Sequence, residues 1–197
     1  CLSRGLGDVY KRQRLGANPV PIQIPIGAGP PHVAEAFRGV IDLLTMKMLH
    51  FTEQSDGAEI IEEDIPDDFV EAAQQARTEM LEQLYDYSNT LMELALEEAE
   101  IPVELLRTVI REATLHQFIT PVLCGSALDH IGVQPVLDAV ANYLPSPKDL
   151  PAITGTNPRH GDQPEKRTAD PTEPFCGLVF KVEAEKTGDC LLYTSPS

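Results

Sequence analysis

Pro121-Val-Leu-Cys-Gly-Ser-Ala127, followed by Gly132-Val-Gln-Pro-Val-Leu-Asp-Ala-Val-Ala-Asn-Tyr-Leu144 and closed by Pro145-Ser-Pro147, is the stretch whose reading decides the fold. Residues 118–124 form a mostly apolar run with Phe, Ile, Thr and Val, too short for an independent helix, which predicts a buried strand. The run ends at Gly125. Beyond it Val133, Val136, Leu137, Val140 and Leu144 recur at spacings of three and four, predicting a helix whose one apolar face covers a sheet. Strand, glycine turn and helix in that order make half of a strand-helix-strand repeat. α/β proteins use this layout to present backbone donors to a ligand, so the fold class expected is α/β.

Working outward, the upstream strand candidates are residues 20–26, 39–43, 46–51 and 59–62. In the first, Val20, Ile22, Ile24 and Ile26 share one face while Pro19, Pro21, Gln23 and Pro25 occupy the other. Prolines there predict an edge or irregular strand. Pro66 before Asp67 and Asp68 marks a helix start, with acids suited to an N-terminus. Phe69, Ala73, Ala76, Met80, Leu84, Tyr87, Leu91 and Leu94 then recur at steps of three or four, carrying helix past Ser88 with a break expected near Ser88-Asn89. A further helix is expected from Pro102 to about His116, with Val103, Leu106, Val109, Ile110 and Ala113 inward. Met80 and Met92 are read as core packing. Past Leu144 the prolines at 145, 147 and 151 read as a stiff linker, and residues 155–173 as loop. Phe175, Leu178, Val179, Phe180 and Val182 announce a strand that is expected to lack a partner.

Hydrophobic residues at 42% and charged residues at 23% match a globular composition. No apolar run approaches the roughly 20 residues that a membrane helix needs, and the start has no secretory pattern. Cys124 and Cys176 lie far apart on strand-like segments and are read as reduced, half-buried small hydrophobes. There is no zinc spacing, and His32, His50, His116, His130 and His160 are scattered.

The net charge of −16 is concentrated in one place: residues 53–112 hold eighteen acids against Arg77, Arg107 and Arg111, a net of −15. Such a segment repels phosphate backbones and is no nucleic-acid footprint. A solvated helix face is the plain account of it.

Cys-Gly-Ser-Ala, then Gly-Val-Gln, then Tyr-Leu-Pro-Ser-Pro resembles the end of the GTPase domain in the elongation factor G family of translational GTPases. Arg14-Leu-Gly-Ala-Asn-Pro-Val-Pro-Ile-Gln-Ile24, Phe37-Arg-Gly-Val-Ile-Asp-Leu43 and Glu173-Pro-Phe-Cys-Gly-Leu-Val-Phe-Lys181 follow the same pattern in order, so the resemblance covers residues 14–189. It implies the C-terminal part of a P-loop GTPase domain (14–26 and 118–147), an acidic α+β insert subdomain (27–117), a linker or loop (148–172) and the first strand of a truncated β-barrel domain (173–189). Gly125, Ser126 and Ala127 would be the last of five guanine-nucleotide motifs. A backbone N–H there would meet the guanine carbonyl, small Ala127 would allow close approach, and the Ser126 hydroxyl would stiffen the turn.

The chain carries no Gly-x-x-x-x-Gly-Lys-Ser/Thr loop, no Asp-x-x-Gly and no Asn-Lys-x-Asp. Gly27-Ala-Gly-Pro-Pro31 has no lysine and runs into two prolines, so it reads as a loop. No catalytic residue or metal ligand is expected here. GTP or GDP and Mg2+ belong to the full-length protein, and this stretch alone is expected to be inactive.

The resemblance implies a monomeric, cytoplasmic or organellar factor that uses GTP to drive translocation on the ribosome. tRNA and mRNA would be met only through domains outside this chain. The acidic insert would approach the basic ribosomal stalk protein, with Glu71, Glu79, Glu82 and Asp86 as candidate contacts. A paralogous ribosome-protection or recycling GTPase, or an acidic protein-interaction module without nucleotide chemistry, are the other readings. Two departures from the family pattern are Leu128-Asp129-His130-Ile131, where Phe-Lys-Asn-Lys is usual, and Gly29-Pro-Pro-His32. Residues 1–13 and 190–197 depart from the family altogether. Residues 190–195 and 8–13 can be encoded by one inverted DNA element, so both flanks are expected to be non-native.

Overall fold

The computed structural model describes residues 16–27, 29, 33, 36–52, 59–157, 161–185 and 188–194, with residues 178–194 by backbone alone. The flank at 1–13, residues 195–197 and the Pro-Pro-His part of the glycine loop lie outside the described residues. The chain divides into two units, residues 1–144 and 145–197.

In the first unit, strand β1 (Pro19–Pro21) leads at once into β2 (Gln23–Ile26), and β3 (Gly39–Asp42), β4 (Lys47–Phe51) and β5 (Ile60–Glu63) follow. β2 to β5 form a four-stranded antiparallel sheet in sequential order. Three helices come next: α1 (Asp67–Tyr85), α2 (Asn89–Leu96) and α3 (Val103–Leu115). The chain then returns as β6 (Thr120–Val122), which pairs in parallel with β1 in the register Pro19↔Thr120 to Pro21↔Val122, and ends the unit with α4 (Val133–Tyr143). The β1 to β6 pairing joins segments about a hundred residues apart and brackets the antiparallel sheet and its helices between them.

The proline-bearing segment is irregular as its sequence predicts. It breaks into a short strand in one sheet and an edge strand in another, while Val20, Ile22, Ile24 and Ile26 all point inward at 4% exposure or less. They meet Ala73, Met80 and Leu84 of α1, Leu91 of α2, and Leu106, Val109, Ile110 and Ala113 of α3 in one core. Each buried branched side chain contributes about 1.5–3 kcal/mol relative to exposure. Ser88 breaks the long helix because its hydroxyl accepts the Leu91 N–H at 3.3 Å and caps α2. The β3–β4 turn is closed by Asp42, whose Oδ1 accepts the Leu44 N–H at 2.9 Å and Oδ2 the Thr45 hydroxyl at 3.0 Å. Arg77 of α1 donates to the carbonyls of Leu43 and Leu44 and ties the helix to that turn.

The opposite face of the sheet carries Val40, Leu49 and Phe51, packed with Phe37, Ile60, Cys124 and Ile131. This second cluster seats the loop that follows β6.

Several expectations need correction. The strand expected over 118–124 is only three residues long and half exposed, and Phe118 stacks in the open on Tyr87 and His116. Helix α4 does not lay its apolar stripe on a sheet: Val133, Val136, Leu137, Val140 and Leu144 are 40–62% exposed, and Tyr143 is its buried residue. Two three-residue strands offer too little surface to cover an eleven-residue helix, so α4 turns one flank of its apolar stripe, Ala139 and Tyr143, to the core. Met92 is 47% exposed rather than core. Cys124 and Cys176 form no disulfide among the described residues and are partly buried as expected, but both lie outside strands.

In the second unit a 3-10 turn (Pro147–Asp149) is capped by Ser146, whose N–H and hydroxyl both reach Asp149 Oδ2 at 2.7 Å. Residues expected to be loop instead contain an antiparallel pair, β7 (Ile153–Asn157) and β8 (Gln163–Arg167). Thr154 and Thr156 favour the extended chain, and Gly161 and Asp162 at positive φ turn it back. The later strand is not without a partner. β9 (Leu178–Glu185) pairs antiparallel with β10 (Gly188–Thr194), which draws part of the unusual C-terminal flank into a hairpin.

Candidate functional site

Gly125, Ser126 and Ala127 lie in the loop between β6 and α4, at the end where the parallel strand runs out. The loop folds back on itself. Ser126 N–H donates to the Ile131 carbonyl at 2.8 Å and Ile131 N–H to the Ser126 carbonyl at 2.9 Å. Within that ring the Ser126 hydroxyl donates to Asp129 Oδ2 at 2.6 Å, and the Asp129 N–H reaches Ser126 Oγ at 3.4 Å. The serine thus does stiffen the turn, through a carboxylate supplied by one of the residues that departs from the family pattern.

Gly125 is required by close approach, since a Cβ there would stand 2.7 Å from the Ile131 carbonyl oxygen. Gly132 is required twice over, with φ of +79° and a Cβ position 2.7 Å from the Cys124 carbonyl oxygen. Two glycines therefore clamp the loop shut at its base, and Cys124 and Ile131 anchor it to the sheet. Ala127 and Leu128 are held at the exposed tip, and the Ala127 N–H has no acceptor among the described residues. An N–H without an internal acceptor, beside a small exposed side chain, is a donor that a carbonyl oxygen can dock on.

That lip is the part of a nucleotide site that the residues here fit. Phosphate-cradling and Asn-Lys-x-Asp sequences are not in the chain, and among the described residues no three His, Cys, Asp or Glu side chains converge as metal ligands. The donor so placed fits a single carbonyl acceptor, and the described residues supply no phosphate cradle beside it.

A second feature is electrostatic. Glu71, Glu79 and Glu82 of α1 and Asp86 at its C-cap are all exposed. At 100° per residue they fall within about 80° of one another, opposite Ala73, Met80 and Leu84. The geometry brings these four into one stripe on α1, while the turn is seated on the second cluster with Val40, Leu49 and Phe51. The arrangement works against helix stability. α1 ends with no basic residue in its last turn, and α2 is followed by Glu97 and Glu98 where the helix dipole favours cations.

Sequence reasoning missed the Ser126–Asp129 contact. Asp129 three residues after a serine was the available signal for such a turn.

No family model matches the chain. The chain is 45% identical over 173 residues to elongation factor G of Salinibacter ruber, covering 87% of this chain and 24% of that protein. It is 44% identical over 181 residues to elongation factor G of Aquifex pyrophilus, covering 92% of this chain and 25% of the relative. The chain spans about a quarter of the length of these curated relatives. A crystal structure of a protein from Thermus thermophilus has a similar fold, with a TM-score of 0.66 at 24% identity, over 100% of this chain and 25% of that one.

Proposed function

We propose that this chain, 44–45% identical to about a quarter of the length of two elongation factor G proteins, is part of a translation GTPase and supplies one lip of a guanine-nucleotide site together with an acidic, ribosome-facing appendage. The observation that carries this is the identity of 44–45% over most of the chain, coupled to the free Ala127 N–H at the tip of a glycine-clamped turn. Gly125, Ser126 and Ala127 bind the base, while phosphates, Mg2+ and catalysis are left to residues outside this sequence. Residues 14–26 and 118–147 belong to the GTPase domain, 27–117 to the insert, and 173–189 open a further β domain. The parallel pairing of β1 with β6 across the intervening sheet and helices supports that division. The whole factor acts as a monomer in the cytoplasm or an organelle, and it promotes translocation of tRNA and mRNA. Among the described residues no helix is long and apolar enough to cross a membrane.

The acidic stripe serves encounter with the basic ribosomal stalk protein. Acids retained at helix C-termini, where they cost stability, support a use beyond solvation.

A chimera tests both parts: this sequence replaces the matching 173 residues of the Salinibacter ruber relative. The chimera is expected to bind GDP, while this chain alone binds with no submicromolar affinity because phosphate contacts dominate. A chimera without guanine-nucleotide affinity overturns the nucleotide reading. Reversing Glu71, Glu79, Glu82 and Asp86 in it is expected to slow ribosome-stimulated GTP hydrolysis at low salt and to matter less at high salt. An unchanged rate leaves the stripe as a solvated surface.

A further inference from the structure

The four-stranded sheet ends in β2 on one side and β5 on the other, and the two edges are built differently. At the β2 edge the Leu43 N–H donates to the Ile22 carbonyl at 3.0 Å, in line with the register Gln23↔Asp42 to Ile26↔Gly39. An antiparallel ladder alternates, so Ile22 and Ile24 turn their main-chain groups toward β3, and Gln23 and Pro25 turn theirs outward. Pro25 has no N–H to offer a further strand. Proline closes this edge.

At the β5 edge the Thr52 N–H donates to the Glu59 carbonyl at 3.3 Å, continuing the register Phe51↔Ile60 to Met48↔Glu63. The same alternation commits Ile61 and Glu63 to β4 and points the N–H and C=O of both Ile60 and Glu62 away from the sheet. These outward groups have no partner among the described residues. β5 carries no proline, lysine or register shift, devices that ordinarily blunt an edge. Two donors and two acceptors are left at the spacing of one more strand. The side chains select its chemistry. Ile61 is 39% exposed, and Glu62 and Glu63 are exposed and join no ion pair among the described residues. Lys47 on the neighbouring strand is taken by Asp64 at 2.6 Å. A second copy of this edge would bring glutamates together, which like charge disfavours, whereas basic side chains reverse the sign.

We propose that the β5 edge takes an extended basic segment of a partner protein as an added strand. Its main chain bonds Ile60 and Glu62, its basic side chains lie opposite Glu62 and Glu63, and its apolar ones lie opposite Ile60 and Ile61. The site uses neither the α1 stripe nor the Gly125 turn, so it stands or falls independently of both.

The test is a titration of the full chain with the peptide acetyl-Lys-Lys-Val-Val-Lys amide at fixed ionic strength, followed by NMR and amide hydrogen exchange. Expected are saturable shifts and slowed exchange of the Ile60 and Glu62 amides, with those of Ile61 and Glu63, already bonded to β4, little changed. N-methylation of the second lysine and the second valine keeps the peptide's charge but removes the two donors that meet Glu62 and Ile60, and about tenfold weaker binding is expected. Glu62→Lys, at an exposed position, is expected to weaken the unmodified peptide about tenfold. Equal binding of the methylated peptide, unchanged affinity in Glu62→Lys, or shifts that spare Ile60 and Glu62 overturns the proposal. Protection of those two amides that grows with chain concentration in the absence of peptide assigns the edge to a second copy and overturns it as well.

Discussion

Helix α3 buries Leu106, Val109, Ile110 and Ala113 in the core, whereas α4, of nearly the same length, leaves Val133, Val136, Leu137, Val140 and Leu144 exposed. Both sequences carry an apolar stripe at helical spacing. α3 lies where β1, β2, α1 and α2 already converge, and its stripe closes that core. α4 is attached by Ala139 and Tyr143 on one flank and by Arg111, which donates to the Asn142 carbonyl at 2.6 Å. The periodicity of a segment fixes which side chains share a face; it does not supply the surface that the face needs.

The largest expected effect separates the two helices. Ile110→Ala in α3 should destabilise this chain by about 2–5 kcal/mol in urea unfolding, against less than about 0.5 kcal/mol for Leu137→Ala, as for other exposed positions. Equal losses would erase the distinction. At the N-terminus of α4, Gly132→Ala meets both positive φ and a carbonyl oxygen 2.7 Å away, and about 1–3 kcal/mol is expected. Its expected signature is faster hydrogen exchange of the Ile131 amide, which donates to the Ser126 carbonyl. On the covered side, Ser88→Ala removes the cap of α2 and should cost about 1 kcal/mol by thermal denaturation.

The smallest effect is a pH slope. Burial raises the Asp42 carboxyl in the folded chain, so the folded state binds that proton more tightly than the unfolded state does. The contribution favours folding at low pH. It fades as pH rises from about 4, the unfolded value, through the raised folded one. Asp42→Asn should therefore flatten the fall in stability across that window. A steeper fall in the variant would assign the slope to other groups.

The covered half of the molecule is largely legible in its residues. Val20, Ile22, Ile24 and Ile26 alternate, Ser88 announces the break between α1 and α2, and the inward residues of α3 follow their spacing. These features depend on partners close by in the same fold. What the residues do not disclose depends on surroundings. Met92 and the α4 stripe are apolar without a neighbour to cover them, and the β7–β8 pair is hidden among prolines, acids and small polar residues. At the candidate site, the sequence marks Gly125, Ser126 and Ala127. The way in which Asp129 and Ile131 close the turn comes from hydrogen bonds that no motif spells out.

The central contrast, an apolar stripe closed into the core in α3 and left open in α4, is tested most directly by measuring Leu137→Ala twice. One measurement is made in this chain and the other in the Salinibacter ruber chimera. A loss below about 0.5 kcal/mol in the first and about 2–5 kcal/mol in the second is predicted. Small losses in both would contradict it.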